Sequence, residues 1–228
     1  MEKHEGHRER LRKRFESEGL DGFEDTKILE MLLFYVIPRR DTAPIAKALL
    51  TQFGTLPGVL EASREALAQV PGVGDSAASF IHFIMAVNRS YHISRASRRK
   101  ALTTVSQCGE YLAPRFMGCQ EELICVLCLD ARCRVKGCKM LSQGTVDSAA
   151  VPIRKIVEFA LSVNAVSVVL AHNHPGGIAL PSQEDIESTK QVAAALDSVG
   201  VLLADHLIIS ADDYTSLAES GLLKGLGK

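Results

Sequence analysis

The stretch Ala165-Val166-Ser167-Val168-Val169-Leu170-Ala171 is a short, almost unbroken apolar run that leads straight into His172-Asn173-His174-Pro175-Gly176-Gly177. An apolar run of this length bounded by a Pro/Gly turn reads as a strand covered on both faces. Side chains alternate along a strand, so two histidines one residue apart at its end point the same way and can converge on one point. Ser182 is placed to cap the next helix, and Asp185, three residues on, falls in that helix's first turn. The loop between is rich in Pro and Gly and can fold the turn back against the strand end. Two imidazoles and one carboxylate leave a fourth tetrahedral position open, the layout of a catalytic rather than a structural zinc site.

The surrounding pattern predicts the layers such a site needs. Residues 123–129 read as a strand, Asp130-Ala131-Arg132 as a turn, and Arg134–Ser142 as a second strand. Ser106 or Gln107 opens a short helix ending at Leu112, Pro152 opens one reaching about Val163, and Ser182 caps one running through Ser198. Val201–Ile209 is a further strand. Strands alternating with helices give an α/β domain with a mixed sheet over 104–228.

Residues 1–95 read instead as a small all-α domain. Helices are expected over 8–18, from Asp25 or Thr26 to Tyr35, from Thr42 to just before Gly54, and over Arg64–Gln69 behind a Ser63 cap. A longer helix opens at Asp75. Between the last two lies Val70-Pro71-Gly72-Val73-Gly74. Glycines there permit a turn that leaves amides at a helix N-terminus, where a DNA phosphate can be held without base readout. The same residues also serve as a plain helix–helix turn. Net charge is −1 overall, yet Arg89, Arg95, Arg98, Arg99 and Lys100 share a twelve-residue stretch with no acidic side chain. That stretch is either a solvated linker or a phosphate-facing strip. The charge balance excludes a histone-like polybasic protein, and no apolar run is long enough to cross a bilayer. The charged N-terminus is no secretory signal, so a cytoplasmic protein is expected.

All six cysteines fall between 108 and 138, and Cys125, Cys128, Cys133 and Cys138 have spacings that occur in zinc sites. On a strand, however, Cys125 and Cys128 point to opposite faces, which favours packing as small hydrophobes over chelation of one ion.

The order His172-x-His174, seven residues, Ser182, two residues, Asp185 resembles the signature of the JAMM (JAB/MPN) metalloproteases. With His172-Asn173-His174-Pro175 and a later Asp205-His206-Leu207-Ile208, the chain is similar to the RadC-like branch, whose members also carry a helix-hairpin-helix region upstream. Gly176 departs from the branch, which usually has Ser there, and leaves every ligand in place. The resemblance implies a JAB/MPN-like (cytidine-deaminase-like) zinc domain behind the helical one, with one Zn2+ per chain held by His172, His174 and Asp185. It also implies a general base at Glu122, which would take a proton from the activated water and pass it to the leaving amine. Glu121 is the neighbouring alternative. Ser182 would donate to the tetrahedral oxyanion.

The expected function is hydrolysis of an amide in a peptide or protein substrate. The alternative is a DNA-associated, repair-linked protein whose zinc domain is a docking platform without catalysis. Weak, non-specific DNA contact is expected at Gly72, Gly74, Arg98, Arg99 and Lys100. His206 is read as a hydrogen-bonded core histidine in preference to a partner of the metal ligands.

Overall fold

The computed structural model describes residues 2–98, 101–142, 151–211 and 213–223. The chain divides into two compact units, Met1–Asn88 and Arg89–Lys228.

The first unit is helical: α1 (Glu2–Glu18), α2 (Asp25–Leu33), α3 (Ala43–Phe53), α4 (Leu56–Glu61), α5 (Arg64–Ala68) and the start of α6 (Asp75–Ala96). Hydroxyls open two of them, Thr55 accepting from the Gly58 amide and Ser63 from the Ala66 amide, which satisfies donors a helix leaves unpaired at its start. Helix α2 stops at Leu33 rather than reaching Tyr35; Phe34, Tyr35 and Val36 continue it as tight turns onto Met31, Leu32 and Leu33 carbonyls. The Ile37 amide then returns to the Leu33 carbonyl at 2.8 Å, and Pro38, with no N–H to give, ends the run. Leu29, Leu33, Leu49, Leu67 and Ile81 are wholly buried in one core, each contributing roughly 1.5–3 kcal/mol by burial. Gly72 joins α5 to α6 at φ +91, and a Cβ there would sit 3.0 Å from the Ile45 side chain. Both its left-handed backbone and its closeness to α3 call for glycine.

The second unit is a five-stranded mixed sheet with helices on both faces. Its elements are α7 (Val105–Leu112), a 3-10 turn (Ala113–Phe116), β1 (Leu123–Leu129), β2 (Val135–Ser142), α8 (Ile153–Ser162), β3 (Ser167–Asn173), α9 (Gln183–Asp197), β4 (Leu202–Ile209) and β5 (Tyr214–Ser216). The strand order is β2-β1-β3-β4-β5. Only β3 and β4 run parallel, joined through α9; β1 is antiparallel to β2 and to β3, and β5 is antiparallel to β4.

Strand alternation sorts the core into two halves. Cys125, Leu127, Val169, Ala171 and Leu207 face Tyr111, Leu112 and Phe116. Val126, Cys128, Val168 and Leu170 face Ile156 and Ala160 of α8 and Val192 and Leu196 of α9. Cys125 and Cys128 therefore lie on opposite faces, as the alternation predicts. The expected end of β3 at Ala171 is two residues short, because His172 and Asn173 still pair with Ile208 and Ile209 of β4. The His-x-His pair thus begins inside the sheet. Among the described residues no helix is long and apolar enough to cross a membrane.

Candidate metal centre

His172 shares its strand face with Val168 and Leu170, the face that α9 covers. His174 follows just beyond the end of β3, and Asp185 projects from the first turn of α9. The three side chains close on one point. Nε2 of His172 lies 2.8 Å from Nε2 of His174 and 3.1 Å from Oδ1 of Asp185, while Nε2 of His174 lies 3.5 Å from Oδ2 of Asp185. Ligands about 2.0–2.1 Å from a tetrahedral zinc are about 3.3 Å apart. The three observed edges bracket that value, so the donor set fits such an ion. Among the described residues this is a group of metal-ligating side chains with its donor atoms within 4.8 Å of one another.

Each ligand is held by the protein itself. Ser182 caps α9 by accepting from the Asp185 amide at 3.1 Å, and its own amide and hydroxyl each donate to Asp185 Oδ2 at 2.7 Å. This reciprocal box fixes the carboxylate at the helix start. Burial works to raise the Asp185 carboxyl, but its close contact with His172 and the hydrogen bonds from the Ser182 hydroxyl and amide outweigh it and hold it well below the usual carboxylate range. It stays an anion, the form a metal needs. Nδ1 of His174 is 3.3 Å from the Ile178 carbonyl oxygen; a carbonyl only accepts, so Nδ1 carries the proton and Nε2 keeps its lone pair.

The same reasoning fixes His172. Thr189, four residues after Asp185, donates its hydroxyl proton to the Asp185 carbonyl oxygen. Its oxygen then accepts from Nδ1 of His206 at 2.6 Å, which leaves Nε2 of His206 as acceptor for Nδ1–H of His172 at 2.9 Å. His206 is fully buried, and burial together with the neighbouring His172 pushes its pKa down to about 3, so it stays neutral with one donor and one acceptor. Nε2 of His172 is the nitrogen left facing Asp185. His206 is therefore not a core histidine satisfied elsewhere, as expected from sequence, but the partner of a ligand. The signal that could have found it is β4 running parallel beside β3, which brings the strand face of His206 alongside that of His172.

Asn173, between the two histidines, points the other way. Its side-chain oxygen accepts from the Leu123 amide at 2.7 Å, and its side-chain amide donates to the Glu121 carbonyl at 2.9 Å. It thereby continues the pairing of β1 with β3 past the last ladder pair, Ile124 with His172. Glu122 is exposed, one residue before β1; strand alternation carried back from Ile124 would put it on the face of His172 and Glu121 on the opposite one.

Residues 102–222 match the family model described as RadC-like JAB domain. Over 226 residues the chain is 35% identical to a UPF0758 protein of Fusobacterium nucleatum subsp. nucleatum, an alignment covering 96% of this chain and 97% of that one. The chain belongs to the RadC-like JAB family. The match to the RadC-like JAB model contains the whole sheet and all three side chains of the His172–His174–Asp185 cluster, and it begins after α6.

The other expected residues lie elsewhere in the sequence of this RadC-like protein. Gly72 and Gly74 are exposed in the turn before α6, and Arg98 is exposed just after that helix. Arg99 and Lys100 lie outside the described residues. Asp205, adjacent to His206, faces the other side of β4, where it accepts from the Ser216 hydroxyl at 2.6 Å and the Ala218 amide at 3.0 Å. It fastens β5 and the turn after it, away from the ligands.

Proposed function

We propose that this RadC-like JAB protein is a zinc-dependent hydrolase acting on an amide bond of a peptide or protein, with one zinc per chain held by His172, His174 and Asp185. The observation that carries the reading is the convergence of two imidazole Nε2 atoms and an ionised carboxylate, each fixed in its metal-ready form by hydrogen bonds from the protein. Zinc bound to three protein ligands supplies Lewis acidity for hydrolysis at neutral pH. Three ligands leave room for a fourth, which a purely structural zinc site would fill.

The chain's own residues divide the remaining work. His172, His174 and Asp185 bind, and the Thr189–His206 relay and the Ser182 cap hold them in place. Glu122, exposed at the start of β1 on the ligand face, takes a proton from the attacking water and returns it to the leaving amine. The Ser182 hydroxyl, whose single proton is held by Asp185 Oδ2 at 2.7 Å, rotates that proton away from the carboxylate to donate to the developing oxyanion. The Gly72–Gly74 turn of the helical unit and, separately, Arg98, Arg99 and Lys100 at the start of the second unit supply weak, sequence-independent attachment to DNA phosphates.

The test is metal analysis of the purified full chain, followed by a peptide-library cleavage screen with and without added zinc. About one equivalent of zinc and zinc-dependent cleavage of an amide are expected. One equivalent of zinc with no cleavage of any peptide or isopeptide would replace the hydrolase by a docking platform.

A further inference from the structure

Away from the metal centre, two of the free thiols are in contact. Cys125 of β1 pairs in register with Met140, and Cys138 of β2 pairs with Leu127, so the two cysteines are diagonal neighbours on adjacent antiparallel strands. Both face the side of the sheet covered by α7 and the 3-10 turn, and their sulfurs are 3.3 Å apart. Cys128 points into the opposite core.

The surroundings treat the two sulfurs differently. Cys125 is wholly buried, whereas Cys138, on the edge strand β2, is partly exposed. Arg115 stands close by, a buried guanidinium stacked 3.9 Å from the centre of the Tyr111 ring and donating to the Tyr111 carbonyl. A hydrogen bond from the Cys125 thiol, helped by the Arg115 charge, lowers the Cys138 pKa despite burial. That same hydrogen bond and burial keep Cys125 protonated. Burial pushes Cys108 up to about 11 and Cys128 up to about 12, and thiols so held are inert. An accessible, acidic thiol with a protonated one in contact behind it is the arrangement of an attacking and a resolving cysteine.

We propose that Cys125 and Cys138 are a redox-active pair that closes into a disulfide between β1 and β2 when Cys138 meets hydrogen peroxide. The Cys138 thiolate attacks the O–O bond and takes one oxygen as sulfenic acid; the other oxygen leaves as hydroxide and is protonated to water. The Cys125 sulfur then attacks Cys138, the S–S bond forms, the S–O bond breaks, and the departing hydroxide leaves as water with the Cys125 proton. Two thiols and one peroxide give one disulfide and two waters. Closing the pair brings the sulfurs about 1.3 Å nearer, to the ~2.0 Å of a disulfide.

The test is non-reducing tryptic mapping of the reduced full chain after treatment with a small excess of hydrogen peroxide. Cleavage after Lys136 and Lys139 frees the tripeptide Gly137-Cys138-Lys139. It is expected attached through Cys125 to Phe116–Arg132, with two thiols lost per chain and a mass lower by two hydrogens. Cys138→Ser should abolish the link, and Cys125→Ser should leave Cys138 as a sulfenic acid that dimedone traps. The wild-type map stands alone should Cys125→Ser misfold. First oxidation at Cys119 or Cys133, sulfinic acid at Cys138 without a cross-link in the wild type, or six thiols persisting would each overturn the pair.

Discussion

Nε2 of His206 lies 2.9 Å from Nδ1 of His172, which ties a residue of the candidate metal cluster on β3 to the strand beside it. Because the Thr189 hydroxyl ends the chain on the Asp185 carbonyl, the relay spans from one ligand to the backbone of another. The two are thus fixed relative to each other through β4 as well as through the loop between them. Replacing His206 with Ala should leave His172 free to turn and to hold its proton on either nitrogen. Zinc affinity, read by chelator competition, is expected to fall about 10–100-fold, with Gln at 206 recovering part of it. Unchanged affinity in a folded His206→Ala protein would make the contact incidental.

His172→Ala with His174→Ala should remove the metal almost completely, since Asp185 alone cannot hold zinc. Elemental analysis of the purified double variant checks this. Retention of one equivalent would move the site to the cysteines.

Ser182 has two roles that separate by substitution. Ser182→Ala removes the helix cap and should cost about 0.5–2 kcal/mol in thermal or denaturant unfolding. On a cleavable substrate it should also lower the rate by about 10²–10³ through loss of the oxyanion donor. Ser182→Thr restores the cap, and a recovered stability with a still-depressed rate would show the hydroxyl's placement to matter beyond capping.

Glu122→Gln keeps size and polarity and removes the proton acceptor, so zinc should remain bound while hydrolysis falls by about 10²–10⁴. Glu121→Gln, on the opposite face, should change little. A large loss at Glu121 alone would reverse the assignment.

DNA attachment should be steeply salt-dependent. Converting Arg98, Arg99 and Lys100 to Ala removes about three phosphate contacts and should flatten the log–log salt slope by about 2.7 units. An affinity indifferent to salt would rule out this surface.

The parts of the centre legible in sequence are those written locally. His172, His174, Ser182 and Asp185 lie within one strand–loop–helix, where alternation and capping determine which side chains meet. The apolar run at β1 and the opposed faces of Cys125 and Cys128 follow from the same period of two. The role of His206 is not legible locally because it depends on parallel register with a strand 34 positions earlier, which no local pattern records. Helix α4 is hidden in the sequence because Leu56-Pro57-Gly58 has the composition of a loop, and only the Thr55 cap makes it a helix. Strand β5 is three residues long, too short for periodicity, and depends on Asp205 for its anchorage.

Asn173 changes how damage to this centre will look. Sitting between two ligands, it resembles a spacer, yet its amide pins the segment that delivers Glu122. An Asn173 variant should therefore phenocopy loss of the base, with metal retained and turnover reduced, although its side chain bonds to the Leu123 and Glu121 backbone and points away from the His172–His174–Asp185 cluster. The middle letter of the motif is a hinge pin, and a scan that scored it by metal content alone would pass it as neutral.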